Sequence, residues 1–258
     1  MSVALVTGAA RRLGRAMALA LAEDGLAVAI HCHGSDAEAG ALAEEIRAKG
    51  GRAEVFAADL LDLDQAEALV PEVARRMGRL SVLVNNASIF EYDDILSASR
   101  DSWDRHLGSN LRAPFELTQA FAAQAPRAAR DAKGEPVASA CIVNMIDQRV
   151  RKITPEFATY TIAKSGLWAL TRIAAQGFAP DIRVNAIGPG PTLRGSRQSE
   201  PHFAAQRGAT VLGRGTSPEE LSRALDFILD SPGFTGQLLC VDGGQHLAWR
   251  TPDVLGLE

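Results

Sequence analysis

Cysteine is scarce in this chain. Cys32, Cys141 and Cys240 are its three, far apart, odd in number and set in apolar runs. That spacing excludes a disulfide framework and a CxxC metal site, and the three read as buried packing residues. His31 and His33 alternate on a strand and share a face, but no further His or Cys accompanies them, so no metal site is expected. A basic block is also missing: 27 Lys and Arg stand against 31 Asp and Glu, a formal net charge of -4. Without a cationic cluster to neutralise successive phosphates, nucleic acid is excluded as a partner. No apolar stretch is long enough to span a bilayer, which excludes a membrane partner. Residues Met1 to Val6 run straight into an apolar segment with neither a basic flank nor a small-residue cleavage site. The expectation is a soluble, cytoplasmic protein. Internal repeats, low-complexity segments and Pro/Gly/Ser-rich linkers are absent too, so residues 1–258 are expected to form one domain.

What is present is alternation. Short aliphatic and β-branched runs alternate with longer segments of helical period, the pattern of parallel strands joined by crossover helices. Strands are predicted at Val3–Thr7, Ala27–Cys32, Ala53–Ala57, Ser81–Asn85, Ser139–Met145, Ile182–Ile187 and Gln237–Val241, with six main helices between them. The fold class is therefore α/β, a Rossmann-like doubly wound parallel sheet of seven strands with helices on both faces. Thr154-Pro155 reads as a helix cap followed by a first-turn proline, and Ser217-Pro218-Glu219-Glu220 as a capping box. Arg127 to Pro136 reads as a charged, solvated surface loop. Pro189 to Gly208, rich in Gly, Pro and Arg and following a strand's C-terminal end, is a candidate lid over a ligand.

The first strand runs into Gly8-Ala9-Ala10-Arg11-Arg12-Leu13-Gly14. A strand, tight turn and helix start of this kind point backbone N–H groups and the helix dipole at a pyrophosphate. The dinucleotide fingerprint has three glycines, and here Arg12 takes the middle position. The second strand ends in Ile30-His31-Cys32-His33-Gly34-Ser35, with no carboxylate to accept from an adenosine 2'-hydroxyl. In its place His31, His33 and Ser35, with Arg11 across the turn, make a neutral-to-cationic set suited to a 2'-phosphate. NADP(H) is accordingly favoured over NAD(H), with Asp36 the one nearby acid that would weaken the preference if it turned inward.

Tyr160 and Lys164 lie four residues apart and so share a helix face, where the ammonium can favour the ionised phenol. Asp147 precedes the tyrosine by thirteen residues. Adding Asn85-Asn86-Ala87, Asn110 and Val241-Asp242-Gly243-Gly244, the chain resembles the short-chain dehydrogenase/reductase family from end to end. The resemblance implies a homotetramer built on helix pairs and the last strand. It implies that Tyr160 is the general acid/base, that Lys164 holds the nicotinamide ribose and assists the tyrosine, and that Asn110 supports a proton-relay water. Cofactor contacts are implied at Gly8, Arg11, Arg12, Leu13, Gly14, His31, His33, Ser35, Asp59, Leu60, Asn86, Ala87, Pro189, Gly190 and Thr192, the last a candidate for the carboxamide.

Most members carry a serine where this chain has Asp147. A deprotonated carboxylate would repel a developing oxyanion, so Asp147 serves best protonated, or as an acceptor for the N–H groups of a nitrogen heterocycle. The pteridine reductase subgroup is similar at the departing positions: Arg12 for the middle glycine, His31-Cys32-His33-Gly34-Ser35, Asn86-Ala87-Ser88-Ile89-Phe90, and Asp147. In that subgroup an arginine tends to stand where this chain has Gly34. This likeness implies that Phe90 stacks a flat pterin against the nicotinamide, that Ser88 and Arg12 contact ligand or phosphate, and that Asp147 with Tyr160 delivers the proton. The expected activity is NADPH-dependent reduction of a C=N or C=O bond in a pterin-like small molecule. An ordinary short-chain carbonyl reductase and a non-catalytic NADP(H)-sensing protein are the alternatives.

Overall fold

Residues 2–195 and 197–249 are described by the structure, a computed structural model. Ser196 of the predicted lid and the two ends of the predicted 1–258 domain, residues 1 and 250–258, lie outside the described residues. Strand β1 (Val3–Val6) leads into helix α1 (Arg12–Glu23), and β2 (Ala27–Cys32), α2 (Asp36–Ala48), β3 (Ala53–Ala57), α3 (Leu63–Met77) and β4 (Leu80–Asn85) continue the alternation. After β4 come α4 (Arg100–Leu107), a π-helical turn (Gly108–Arg112) and α5 (Ala113–Gln124). The short strands β5 (Ala129–Arg130) and β6 (Pro136–Val137) precede β7 (Ala140–Met145). Helix α6 (Ala158–Gly177), β8 (Ile182–Pro189), α7 (Glu200–Gly208), α8 (Pro218–Asp230) and β9 (Leu238–Val241) complete the described chain.

Seven strands form one parallel sheet in the order β3-β2-β1-β4-β7-β8-β9. Side chains alternate across it, and both faces are buried. In β1, Ala4 and Val6 join the core under α1, α2 and α8, while Val3 and Leu5 join the core under α3, α5 and α6. Burial on both faces explains why the strands read as nearly continuous apolar runs. Chain order reverses between β1 and β4, so their C-terminal ends part company there and leave a crevice, the usual ligand position in such sheets.

The predicted strands agree with the observed ones to within a residue or two at each end, β8 alone running on to Pro189. The six predicted helices are eight in the described residues, because the π turn splits one and the lid segment contains α7. One local expectation needs correction. Thr154-Pro155 does not start a helix: the Thr154 hydroxyl accepts from Arg149, and α6 begins at Ala158. The Arg127–Pro136 segment is largely exposed, as expected of a solvated surface loop, and closes as a small antiparallel hairpin that Arg127 anchors to Asp181 at 2.6 Å. Asn110 sits in the π turn. The Ser217 capping box forms as expected, with Ser217 N–H donating to Glu220 at 2.8 Å.

Candidate active site

The crevice at the β1/β4 switch point is a cleft of about 640 Å³ walled by the Gly8–Gly14 turn, the ends of β2 and β3, and the Asn86–Ile89 segment. Two glycines make the turn possible. Gly8 takes a left-handed φ of +60°, and a Cβ there would meet the Ala87 backbone at 3.1 Å. At Gly14 a Cβ would lie 2.4 Å from the Gly8 carbonyl and 2.6 Å from Asn86 Nδ2, so only glycine lets α1 pack on the turn. Thr7 Oγ1 ties the two strand ends by accepting from the N–H groups of Asn86 and Ala87, each at 2.9 Å. Asn86 Nδ2 donates to the Thr7 carbonyl at 2.8 Å.

Arg12, at the middle-glycine position, keeps a glycine-like φ of +56°. Its guanidinium crosses the crevice to the carbonyls of Leu193 and Arg194, at 3.1 and 2.9 Å. A left-handed non-glycine residue is strained by about 1–2 kcal/mol. Arg12→Gly should therefore be more stable than Arg12→Ala by about 1 kcal/mol in urea unfolding, since both lose the same guanidinium contacts.

At the far end of the cleft Arg11 Nη2 donates to Ser35 Oγ at 2.5 Å, while Arg11 also pairs with Glu38 at 3.5 Å. Asp36 is exposed and lies 3.8 Å from the Cys32 thiol, outside the cleft lining. Asp59 and Leu60 close the adjacent wall, where Asp59 Oδ1 holds the Leu61 N–H at 2.9 Å. His31 lines the cleft as a neutral member of the neutral-to-cationic set expected there. Its Nδ1 accepts from Gly8 N–H at 3.0 Å, which leaves Nε2 to donate to the Ala58 carbonyl at 3.0 Å. Burial lowers its pKa from 6.5 to about 4. His33, by contrast, is exposed beyond the strand end. The residues thus fit a nicotinamide dinucleotide: a cradle that a Cβ would fill, an open helix N-terminus, and Arg11, Ser35 and His33 at the end where a 2'-phosphate would lie.

The depressed pKa of His31 has a consequence for stability. The unfolded chain binds a proton at pH 6.5 and the folded one only near 4, so stability is complete above 6.5 and is lost as pH falls through that window. About 3 kcal/mol should disappear by pH 4 from this group. Replacing His31 with Gln should flatten that part of the melting temperature versus pH curve.

The second half of the site lies around the first turns of α6. Tyr160 is 5% exposed, and its hydroxyl donates to Asp147 Oδ2 at 3.1 Å. Asp147 Oδ1 accepts from the Arg149 N–H at 2.8 Å. Burial raises the pKa of both members of this pair, and the Asp147 charge raises that of Tyr160 further. The Ser88 hydroxyl bonds the phenol and acts the other way. Lys164, fully buried, donates from Nζ to the Met145 carbonyl at 2.8 Å and lies 5.7 Å from the centre of the Tyr160 ring. Burial lowers its pKa from 10.5 to about 8. The expectation that this ammonium makes the phenol more acidic is therefore corrected: here desolvation and a carboxylate neighbour dominate the phenol.

Asn110 brackets the Ile89 peptide, accepting from its N–H at 2.9 Å and donating to its carbonyl at 2.8 Å. Thr192 is buried and bonded to the Gly190 carbonyl at 3.1 Å and to Thr216 at 2.7 Å. Gly190, with Pro189 before it, passes so close to Asp242 that a Cβ would lie 2.6 Å from its Cα. Phe90 is 45% exposed at the mouth and meets the Tyr160 ring edge-on at 4.7 Å. Phe157 stacks on it at 4.4 Å and 15°, Arg197 lies 5.4 Å over it, and Arg149 lies 5.0 Å over Phe157. Sequence reasoning missed Phe157 and Arg197. A phenylalanine with φ +56° has no sequence signature, and Arg197 is one of several arginines in an irregular segment.

A buried tyrosine, a carboxylate and a buried lysine thus stand beside a cleft that fits a dinucleotide, the parts that proton delivery next to a hydride-carrying cofactor calls for. Residues 8–246 match the family profile described as enoyl-(acyl carrier protein) reductase. Across 95% of its length the chain is 31% identical to 3-oxoacyl-(acyl-carrier-protein) reductase FabG of Staphylococcus aureus, of which 98% is covered. It is 30% identical over 94% of its length to the short-chain dehydrogenase/reductase eriH of Hericium erinaceus, 97% of which is covered. Among solved structures, FolM alternative dihydrofolate reductase 1 from Brucella suis in complex with NADP superposes with a TM-score of 0.91 at 42% identity, covering 98% of each chain. A blue fluorescent protein from a metagenomic library in complex with NADPH gives 0.83 at 30% identity, covering 94% of this chain and 97% of that one. The chain belongs to the short-chain dehydrogenase/reductase family, and is by that membership a nicotinamide-dependent oxidoreductase.

Proposed function

We propose that the protein is an NADPH-dependent reductase of a pterin-like heterocycle, a member of the pteridine reductase type. The observation that carries this reading is the hydrogen bond from Tyr160 to Asp147, a carboxylate where the family usually has a hydroxyl. A carboxylate suits the N–H edge of a nitrogen heterocycle and is ill suited to a bare oxyanion. The kinship to an alternative dihydrofolate reductase crystallised with NADP supports the same substrate class and cofactor.

When bound, NADPH supplies the hydride that adds to the carbon of a C=N bond. Tyr160 and Asp147 hold a proton between two oxygens 3.1 Å apart and pass it to the nitrogen, which balances the addition. Because burial raises both pKa values, the pair keeps that proton at neutral pH. Lys164 holds the ribose. The Asn110 side chain is committed to Ile89, so its part in a proton-relay water would fall to its main chain in the π turn. Ser88 and Arg12 contact substrate or phosphate, and Phe90 offers the flat apolar surface on which a pterin ring stacks.

In this reading residues 1–258 are one NADP(H)-binding domain with a substrate lid around 189–208, acting in the cytoplasm as a homotetramer. No helix among the described residues is long and apolar enough to cross a membrane. Exposed apolar side chains on α4, α5 and α6, namely Trp103, Phe115, Ile162 and Ile173, offer a face for a second copy. Ile173→Glu should reduce the assembly size measured by light scattering after gel filtration.

The decisive assay follows NADPH oxidation by absorbance with dihydrobiopterin, dihydrofolate and a panel of simple ketones, for the native protein and Asp147→Ser. Pterin turnover that falls in the variant is expected. Turnover of ketones alone, or better turnover in Asp147→Ser, would leave a general carbonyl reductase and end the pterin reading.

A further inference from the structure

A second buried polar cluster stands beside Tyr160, and the proton chemistry above does not use it. Asp93, His106 and Thr159 are each at most 2% exposed, and the His106 ring meets the Tyr160 ring edge-on at 6.0 Å. The hydrogen bonds of the cluster run in one direction. The Glu91 N–H donates to His106 Nε2 at 3.1 Å, which places the ring proton on Nδ1. Nδ1–H in turn donates to Thr159 Oγ1 at 2.6 Å, and the Thr159 hydroxyl donates to Asp93 Oδ2. Asp93 Oδ1 accepts the Thr159 main-chain N–H at 3.2 Å, and the Asp93 carbonyl accepts the Phe157 N–H at 2.6 Å. Burial holds His106 neutral, as this chain of donors requires.

The cluster replaces something α6 lacks. Phe157 occupies the N-cap position with a left-handed backbone and no side-chain oxygen, so the helix has no local cap. Asp93, 66 residues earlier in the chain than Thr159, takes over that duty at the residue immediately before Tyr160. A carboxylate here also faces the positive end of the helix dipole.

We infer that Asp93, His106 and Thr159 are positioning residues for Tyr160: their one-way hydrogen-bond chain fixes the first turn of α6 and thereby sets the phenol oxygen against Asp147 and the substrate. The inference rests on the proposed role of Tyr160 as proton donor. It separates from a plain stabilising cap because it requires the phenol itself to respond when the chain is cut.

Thr159→Val cuts it with almost no change in volume, stranding Asp93 Oδ2 and His106 Nδ1–H, whereas Thr159→Ser retains the hydroxyl. Thr159→Val should lower kcat by about ten- to a hundred-fold, the scale of a small misplacement of a reacting group, with KM for NADPH held. Thr159→Ser should recover most of that loss. Independently of turnover, the Cζ resonance of Tyr160 in isotope-labelled protein should move in the Val variant and return in the Ser variant. The chain has only two tyrosines, so Tyr92→Phe assigns the signal. A Thr159→Val protein that loses only melting temperature, with kcat and the Tyr160 resonance unmoved, overturns the inference. Should that variant not fold, His106→Gln and His106→Leu ask the same question: Gln can accept from Glu91 and donate to Thr159, Leu can do neither, and equal kcat in the two overturns it. Tyr160→Phe runs in parallel. If it keeps full turnover the donor role of Tyr160 fails by itself, while the resonance test still decides whether the cluster positions the ring.

Discussion

Tyr160→Phe should reduce kcat by about 10²- to 10⁴-fold, the range that positioned general acids contribute, while the Kd for NADPH stays close to that of the native protein. The phenol is the one proton-bearing group on α6 that hydrogen-bonds Asp147. Burial and the adjacent carboxylate push its pKa up, so it is a protonated donor across the neutral range and not a standing phenolate. That is the state a reductase needs at the moment of hydride addition. Phe keeps the ring, and with it the edge contacts to Phe90 and His106, so the loss isolates the proton. Stopped-flow NADPH oxidation together with equilibrium NADPH titration checks both halves. Retained NADPH binding with unchanged turnover would remove Tyr160 from the chemistry.

Lys164→Met should produce a protein that is more stable and nearly inactive. The Lys164 ammonium is fully buried, and its pKa falls to about 8 in the folded state against 10.5. A lowered lysine pKa means the folded state binds the proton less tightly than the unfolded one. Its contribution to stability is unperturbed above pH 10.5, declines as pH falls to 8, and below 8 amounts to a penalty of about 3 kcal/mol. Met removes that penalty but strands the Met145 carbonyl, at about 1–3 kcal/mol, so the net gain at pH 7 is about 1 kcal/mol, or a few degrees of melting temperature. Activity should drop about a hundred-fold or more if Lys164 holds the ribose as proposed. Calorimetry beside an activity assay measures the exchange of stability for function that buried charges at working sites represent. A lower melting temperature in the variant would mean that the hydrogen bond to Met145 outweighs the desolvation of the ammonium. For the native enzyme, kcat should fall as pH rises past 8 and Lys164 loses its charge.

The pH behaviour of the fold therefore has two unlike contributors. His31 withholds stability on the acid side between 6.5 and 4, and Lys164 returns it on the alkaline side between 8 and 10.5. Both act through burial of a group that the sequence presents as an ordinary base.

The sequence by itself determined the strand and helix alternation, because period-2 and period-3.6 burial leave a mark within ten residues. It also determined the switch-point cleft, because Gly8 and Gly14 are demanded by contacts that any Cβ would violate. Tyr160 and Lys164 were legible from their spacing, and Asp147 from its departure from the usual hydroxyl. Tertiary structure alone decided how these groups behave. Arg12 adopts a glycine's backbone because Leu193 and Arg194, far along the chain, hold its guanidinium. Thr154-Pro155 fails as a helix start because Arg149 claims the threonine, and α6 is capped instead by Asp93 from another segment. His31 reads as part of a neutral-to-cationic set facing a phosphate and is a neutral buried strut; the phenol reads as acidified and is made less acidic. The two reversals of charge share a cause: a side chain's charge state follows its desolvation and its partners, and those partners lie 23 and 27 residues from His31 and 13 from the phenol, where a local burial pattern carries no record of them.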